Sequence, residues 1–554
     1  MIDTAPLATS SPYVHAKDDT NTINNRPETK LVSLELSGSD GQHEEQDTTQ
    51  AYPAGCKFLV IMVGLALSCI LVSLDNTILA TAIPKITAQF ASLDDVGWYG
   101  SAYLLTNCSM CLVYGKLYTF FSIKWVYLSA LGLFELGSLV CAITPNSVGL
   151  ILGRAIAGVG AGGIFPGSIV IISESVPLRQ RPIFTGLLSA IFSLCAVAGP
   201  LIGGALADHA TWRWCFYINL PLGGVSCLFI VAFYHAQGPP VKTRNGLKDI
   251  VMQLDPLGLL CFLPSMISLL LALQWGGTKY PWSSAQVTAL FIVFGLLLLA
   301  FIAVQWWRKD QATIPPQLMG NRNVWGASLF AFCLAASLMV YTYYLPIWFQ
   351  GVQGASATRS GVLSLPMLLT SGLCSIMVGA CVSAFGGYMP FVYFSTAATS
   401  VAGGLLATLR ADSSPAKYLG YQALYGIGVG TGLMQPLMAV QAAVSRADIP
   451  SATAIIMFMQ TMGGAISVSV AQNLFHTKLL TNLARHAHVP EADVYKVVEA
   501  GATMLRKAVP GELLLGALDA YSAAITYSFR LAVAFSALSV LGALPMQWLS
   551  VRKS

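Results

Sequence analysis

Two glycine-rich stretches decide the fold: RAIAGVGAG at residues 154–162 and QALYGIGVG at residues 422–430. Their glycines align at one constant offset, Gly158, Gly160 and Gly162 with Gly426, Gly428 and Gly430. Many secondary transporters are built from such repeated halves, with the binding site near the bilayer midplane between them. Small residues also let membrane helices pack closely without any repeat. We interpret the alignment as a repeat, which predicts two related bundles of membrane helices.

The composition is that of an integral membrane protein. Of the 554 residues, 55% are hydrophobic and only 10% are charged, whereas a soluble domain has about 25% charged residues. This excludes a soluble enzyme, a disordered protein and a nucleic-acid binder. Residues 1–56 differ, because nine acidic and three basic side chains give them a net charge of −6, within a chain of net charge +5. We expect this segment to be a disordered cytoplasmic tail.

Fourteen apolar runs approach the roughly 20 residues that a membrane-spanning helix needs. They cover residues 58–82, 98–118, 126–144, 148–173, 184–207, 214–235, 256–275, 286–307, 324–349, 361–383, 390–409, 418–441, 452–474 and 527–549. If the N-terminus is cytoplasmic, the short inner loops and the C-terminal tail hold thirteen Lys or Arg, against six in the short outer loops. Because basic residues favour the cytosolic side, both termini are predicted to be cytoplasmic.

The repeat and the span count together predict an all-α integral membrane protein of two six-helix bundles and two inserted helices. The predicted boundaries are residues 57–235 for the first bundle, 236–322 for the inserted helices with their flanking loops, and 323–554 for the second bundle. The second bundle includes a long outer loop at 475–526. The twelve cysteines lie scattered, mostly in apolar runs, and predict neither a disulfide framework nor a metal site.

Charged residues within the spans are the strongest pointers to chemistry, because each costs at least about 2.5–3.5 kcal/mol at a helix centre. Asp75, Arg154 and Glu135 lie in the first, fourth and third spans. A carboxylate that faces alternate sides of the membrane can bind and release a proton, and a mobile Arg beside it would change its proton affinity. We predict that Asp75 and Arg154 act together in proton coupling, with Glu135 as a further candidate. A static ion pair is the alternative.

Two further groups of residues are candidates for gating and for cargo binding. The fifth span contains a proline among small residues, which predicts a hinge or a tight helix seam, at Gly199, Pro200, Gly203 and Gly204. Aromatic rings and neutral amides suit a flat, weakly polar organic cargo. The predicted cavity residues are Asn76, Tyr341, Tyr343, Trp348, Gln422, Gln435 and Gln460. For each of these, ordinary packing or an interfacial position is the alternative.

Several of these stretches resemble motifs of the major facilitator superfamily, in particular its fourteen-span drug:proton antiporters and the fungal pumps for toxins and secondary metabolites. The resemblance rests on DNTILATAIP from Asp75, on Arg154 with its glycines, on GPLIGG from Gly199, and on WRWCFYINLPLG from Trp212. It covers residues 55–550. It implies the major facilitator fold with fourteen transmembrane helices, an Arg154 role in proton coupling, and an antiporter motif in the fifth span.

One motif departs from the superfamily pattern. The loop between spans 2 and 3 reads GKLYTFFSIK from Gly115 to Lys124, so that Thr119 stands where the pattern has Asp. Gly115 and Lys124 match the pattern, and Lys116 lies beside the first of them. This departure places in doubt the charge interaction that the family pattern assigns to this cytoplasmic loop. Lys116 and Lys124 either belong to an inner-loop motif or serve only to set the membrane orientation.

We therefore expect an alternating-access antiporter that exports a small hydrophobic compound, such as a toxin, secondary metabolite or drug, in exchange for protons. We expect a monomer that contacts membrane lipid and no nucleic acid, and that uses no cofactor, metal or catalytic residue. The plasma membrane is the expected location, with a vacuolar or vesicle membrane as the alternative. Other readings are a transporter of siderophore complexes, a vacuolar transporter of basic amino acids, and a non-transporting receptor.

The predicted orientation can be tested by labelling. A cysteine introduced at Ala492, in the predicted outer loop, should react with a membrane-impermeant thiol reagent on intact cells, with the unsubstituted chain as the control. Labelling that appears only after permeabilisation would reverse the orientation.

Overall fold

The computed structural model describes residues 53, 55–90, 95–235, 255–277, 279–486 and 511–552. Within these ranges the regular elements are helices, accompanied by isolated bridges but no strand. The helices of the first half are α1 Cys56–Phe90, α2 Val96–Phe120, α3 Ile123–Ile143, α4 Ser147–Ser175, α5 Arg181–His209, α6 Trp214–Tyr217 and α7 Asn219–Phe233. The middle of the chain forms α8 Pro256–Trp275, α9 Ala285–Arg308 and α10 Pro316–Gly320.

The second half has a matching series of long helices. They are α11 Arg322–Gly351, α12 Ala357–Leu363, α13 Leu365–Phe385, α14 Met389–Leu406, α15 Pro415–Gly432, α16 Gln435–Ala443, α17 Ile449–His486 and α18 Gly511–Ala543. Twelve helical segments of the described residues are long and apolar enough to cross a membrane, and each coincides with one of the fourteen predicted runs. The remaining two runs correspond to α2 and α5, which are 25 and 29 residues long but fall outside that set. The prediction of an all-α membrane protein is confirmed.

The predicted outer loop at 475–526 is wrong at both ends. α17 continues to His486 and α18 already begins at Gly511. Counting apolar residues missed these ends, because a helix can continue where polar side chains interrupt or follow an apolar run. Ala492 lies outside the described residues.

The two halves repeat one pattern of helix packing. In the first half α1 packs on α5 and α7, α4 packs on α2 and α3, and α3 also contacts α7. In the second half α11 packs on α17 and α18, α15 packs on α13 and α14, and α14 also contacts α18. The halves meet where α2 contacts α17 and where α5 contacts α13. This correspondence confirms the internal repeat.

The aligned glycines are the points at which this repeated packing is closest. A Cβ on Gly158 or Gly162 would overlap atoms of α2, and a Cβ on Gly426 or Gly430 would overlap atoms of α13. Even a threonine contact recurs: Thr106 donates to the Ala155 carbonyl at 2.9 Å, and Thr370 donates to the Ala423 carbonyl at 3.1 Å. The glycines are needed because the facing helix backbones occupy the space of a side chain.

Gly160 tests this explanation, because its Cβ would overlap the backbone of α3 at Ala130 and Phe134. Gly160→Leu should lower the free energy of unfolding by at least about 1–3 kcal/mol through overpacking. Gly132→Leu is the matched control, since a Cβ there meets nothing within 4 Å. Thermal unfolding of the purified protein in detergent measures both. Equal stability of the two variants would contradict the close approach of α3 and α4.

Candidate functional site

A buried ion pair lies within the first half of the molecule. Nη1 of Arg154 on α4 donates to Oδ2 of Asp75 on α1 across 2.5 Å. The two residues are 1% and 0% exposed. The structure thus brings together the two residues that the sequence proposed as partners, although 79 positions separate them along the chain. The charge-assisted contact offsets part of the cost of removing both charges from water.

Helix α2 holds the guanidinium in place. Nε of Arg154 donates to the carbonyl oxygen of Tyr99 at 2.9 Å, and the guanidinium carbon lies 4.3 Å from the ring centroid of Tyr103. A cation over an aromatic face is attracted by the electron density of the ring. Arg154 therefore joins α1, α2 and α4, and its position depends on all three helices.

Asn219, the first residue of α7, is a member of the site that the sequence did not single out. Its Nδ2 lies 3.5 Å from Oδ1 of Asp75 and donates to Oγ of Ser138 at 3.1 Å. It is fully buried. The signal was present in the stretch from Trp212 to Gly223, where an amide interrupts an apolar run, but its partners come from α1 and α3 and could not be read from sequence.

Glu135 lies on α3, one turn before Ser138. Both carboxylate oxygens are buried, and neither has a hydrogen-bond partner among the described residues. A Cβ on Gly223 of α7 would overlap Oε1 of Glu135, so the carboxyl group occupies the space beside that glycine. Of the three charged residues selected from the sequence, Asp75 and Arg154 form a pair, and Glu135 lies apart with its own neighbours.

The corresponding place in the second half is neutral. Gln422, aligned with Arg154, is buried and donates to the Tyr418 carbonyl of its own helix at 3.0 Å. Tyr341 of α11 reaches α14 through a hydrogen bond from its hydroxyl to the Gly403 carbonyl at 3.0 Å. The second half thus keeps the same helix packing with neutral residues at this place.

The fifth-span motif lies against α1. Thr77 donates weakly to the Cys195 carbonyl of α5 at 3.4 Å, and a Cβ on Gly199 would overlap the Thr77 hydroxyl. Gly203 is buried, whereas a Cβ on Gly204 would meet nothing within 4 Å. Helix α5 runs without interruption through Pro200. The close seam is therefore at Gly199 and borders the helix that carries Asp75.

The residues proposed for a cargo cavity fall into two groups. Asn76 and Gln460 are partly exposed, and they donate to the carbonyls of Val72 and Leu433 at 2.9 and 3.1 Å. Tyr343 is 48% exposed. The remaining four are buried in this conformation, namely Tyr341, Trp348, Gln422 and Gln435. Trp348, for example, donates from Nε1 to the Ser522 hydroxyl at 3.0 Å, which is a packing contact between α11 and α18.

The inner-loop motif joins the two halves through close packing and a hydroxyl contact. Gly115 lies against Ala454 of α17, and the hydroxyls of Thr119 and Ser451 are 3.2 Å apart. Lys116 is buried and donates to the Gln311 carbonyl at 3.4 Å. Lys124 donates to the Val231 carbonyl at 2.7 Å, near the C-terminus of α7, where a cation is favourable. Thr119 thus replaces the Asp of the family pattern with a neutral hydroxyl contact.

We found no group of His, Cys, Asp and Glu that could hold a metal ion in the part of the chain that the structure describes.

The role of the fifth-span seam can be tested with two glycines of one helix. Gly199→Val should reduce transport, because the added side chain displaces Thr77 and moves α1, at a cost of about 1–3 kcal/mol. Gly204→Val, whose position is open, is the control and should transport at close to the original rate. Transport is measured in cells at equal surface expression. If both variants transport equally, the seam has no role in the cycle.

Comparison with known proteins agrees with this architecture. Residues 65–468 match the family model described as Major Facilitator Superfamily. The chain is 55% identical over 510 residues to the MFS-type transporter astH of Aspergillus oryzae, covering 92% of this chain and 90% of the relative. It is 50% identical over 493 residues to the efflux pump roqT of Penicillium rubens, covering 89% and 91%. With the efflux pump bfoC of Aspergillus brasiliensis the identity is 45%, and the alignment covers both chains completely.

Solved structures share the fold at low sequence identity. The human organic anion transporter MFSD10 superposes with a TM-score of 0.56 at 14% identity, covering 89% of this chain and 100% of the other. The proton:xylose symporter XylE gives 0.55 at 13% identity, covering 90% and 98%. The relatives are named as transporters and efflux pumps, not as enzymes. The duplicated helix packing, the matching family model and these relatives show that this chain belongs to the Major Facilitator Superfamily.

Proposed function

We propose that the chain is a proton-coupled efflux transporter, which exports a small hydrophobic organic compound by alternating access. The single observation that carries the proton coupling is the buried pair of Asp75 and Arg154. Export is supported by the names of the relatives, which include efflux pumps at 45–50% identity. The fold of a transporter superfamily accounts for the rest of the architecture.

The ion pair supports coupling because protonation of Asp75 removes the partner of a buried cation. Leaving such a charge unpaired costs about 3–5 kcal/mol. Proton binding therefore favours any conformation in which Arg154 finds water or another acceptor. Because Arg154 also contacts α2, its movement shifts the packing of α1, α2 and α4 together. A proton thereby changes the relative free energies of two conformations, which is the requirement for coupling.

The proposed conformation is closed at the cytosolic end and is supported by contacts between the halves. In addition to the Thr119 contact, Nε of Arg179 donates to the Ser383 carbonyl at 3.2 Å and Nη1 of Arg181 lies 3.4 Å from Oε1 of Gln441. These residues border loops that the distribution of basic residues assigns to the cytosol. Opening this end requires all of these contacts to break, as alternating access demands.

The proposed cargo is hydrophobic and carries at most weak polarity. The charged cluster is confined to the first half, and the corresponding place in the second half offers a tyrosine and an amide. Asn76 and Gln460, which are partly exposed, present neutral polar groups on α1 and α17. Neutral hydrogen-bonding groups among apolar walls suit small organic ligands.

We propose fourteen transmembrane helices, with α2 and α5 as spans beside the twelve apolar segments. Helices α8 and α9 pack on one another, and α8 also contacts α2 and α17. Only 11% of the most apolar segment of α9 is buried within the chain, which supports contact with lipid. The proposed division is residues 57–235, 236–322 and 323–554. We place the protein in the plasma membrane as a monomer with both termini in the cytosol.

Substitution of the ion pair tests the coupling. Asp75→Asn keeps the shape of the side chain but cannot titrate, so accumulation driven by a pH gradient should fall by more than about tenfold, equivalent to 1.4 kcal/mol. Passive exchange of cargo should persist. Arg154→Lys keeps the charge but loses the planar geometry that reaches Tyr99 and Asp75 together, and should also impair transport. Vesicles containing the purified protein measure both activities.

The control is Asp448→Asn, which removes a partly exposed carboxylate that accepts a hydrogen bond from the Ser445 hydroxyl at 2.7 Å. The cargo is a compound selected for reduced accumulation in cells that express the chain. If Asp75→Asn still accumulates cargo against its gradient like the original, Asp75 is not the coupling group. Retained binding without any flux in the unsubstituted chain would instead indicate a receptor.

A further inference from the structure

The carboxyl group of Glu135 lacks the partners that a buried carboxylate needs. An ionised carboxylate accepts hydrogen bonds at both oxygens and donates none. Oε1 and Oε2 are both buried, and neither accepts a hydrogen bond within the described residues. Burying such a group in its charged form is costly, because neither a hydrogen bond nor an ion pair replaces water. The position therefore favours a carboxyl group that carries a proton in this conformation.

The surroundings of Glu135 are made by one face each of α3 and α7. Glu135 and Ser138 are one turn apart on α3, while Asn219 and Gly223 are one turn apart on α7. Gly223 leaves the space that the Glu135 carboxyl occupies, and Asn219 donates to Ser138 at 3.1 Å. These two pairs place Glu135 and Asn219 in the same interface between helices.

Asn219 has an acceptor without a donor. Its Nδ2 contacts Asp75 and Ser138, but its buried Oδ1 has no hydrogen-bond partner among the described residues. A protonated Glu135 has the hydroxyl that such an acceptor lacks. The interface between α3 and α7 thus contains a carboxyl group and an amide oxygen that both lack a hydrogen-bond donor among the described residues. After a rotation of the Glu135 side chain, a proton on its carboxyl group can be donated to the amide oxygen of Asn219.

Asn219 links this interface to the charged pair. Its Nδ2 lies 3.5 Å from Oδ1 of Asp75 on α1, and Asp75 accepts a hydrogen bond from Arg154 of α4, whose guanidinium lies over the ring of Tyr103 on α2. Arg154 is thus engaged by Asp75, whereas neither oxygen of Glu135 has a hydrogen-bond partner among the described residues. Besides Asn219, α7 contributes the neutral Gly223.

The internal repeat shows that packing does not require an acid here. A Cβ on Gly160 would meet the amide nitrogen of Phe134, and a Cβ on Gly428 would meet the amide nitrogen of Thr399. Phe134 and Thr399 therefore occupy corresponding positions, and the next residue along the chain is Glu135 in the first half and Ser400 in the second. The corresponding interface thus packs with a small hydroxyl, so the carboxyl group of Glu135 needs a reason other than folding.

We propose that Glu135 is a second proton-binding group of the transport cycle, linked to Asp75 by Asn219 as the positioning residue. The proposal rests on the proposed proton antiport and deepens it. In the step proposed, the O–H bond at Glu135 breaks and an O–H bond forms at Asp75, so that one proton moves and no other group is consumed. Protonation of Asp75 then releases Arg154, while Glu135 is left ready to accept the next proton.

Infrared difference spectroscopy of the purified, lipid-reconstituted protein tests this without any cargo. A pH change produces a C=O stretching band for each carboxyl group that binds a proton. Glu135→Gln should lose one such band and bind one proton fewer per protein. Asn219→Ala and Asp75→Asn should retain the Glu135 band but move its titration midpoint. Glu174→Gln is the matched control, because that glutamate is also partly buried but accepts a hydrogen bond from Tyr234 at 2.5 Å.

Two results would overturn the proposal. One is a spectrum of Glu135→Gln that keeps every band of the original protein, which would mean that Glu135 does not titrate. The other is a Glu135 band whose titration midpoint in both Asn219→Ala and Asp75→Asn is unchanged from that of the original protein, which would remove the link between Glu135 and Asp75. If Glu135→Gln does not fold, Gly223→Ala decides, because its methyl group displaces the carboxyl: a shifted band supports the proposal and an unchanged band overturns it.

The spectra are independent of the transport assay. If vesicles show no gradient-driven transport while the linked titration is present, the proposed antiport fails and the proton-binding pair remains. If transport is coupled but Glu135 does not titrate, the antiport remains and the second site fails.

Discussion

A charge inside the bilayer must find its partner within the protein, and the site is organised by this constraint. Arg154 is satisfied by a carboxylate from α1 and by a carbonyl and an aromatic ring from α2. No lipid chain can replace these groups. The three helices therefore cannot move apart without either carrying the cation with them or exposing it to water. Under the proposed coupling, protonation of Asp75 would therefore change how these three helices pack.

Glycine makes this arrangement geometrically possible. Gly158 and Gly162 bring α4 against α2, and Gly160 brings it against α3. The close approach places Arg154, one turn before Gly158, within reach of Tyr99 and Asp75. The same three glycine positions recur in the second half with the same helix contacts. The glycines thus determine how the helices pack. The residue one turn before them, Arg154 in the first half and Gln422 in the second, determines whether the site is charged.

The asymmetry between the halves has a functional consequence. Equivalent helices in the second half are held by hydroxyl and amide contacts, which do not titrate in the physiological range. In the proposed mechanism, proton binding is therefore concentrated around α1, α3, α4 and α7, whereas the hydrogen bonds of Thr119, Arg179 and Arg181 across the halves go to uncharged partners. Protonation of Asp75 would leave these three hydrogen bonds untitrated.

The sequence by itself determined the membrane class and the duplicated architecture, because apolar length and glycine spacing are local properties. It also selected Asp75 and Arg154 as candidate partners, because charge within a span is costly, but only the tertiary structure showed their contact. It placed the ends of α17 and α18 wrongly, because polar residues can extend a helix beyond its apolar segment. Only the tertiary structure showed Asn219 beside Asp75 and Glu135 against Gly223. Those contacts join residues from different helices, and no spacing along the chain encodes which faces of two helices meet.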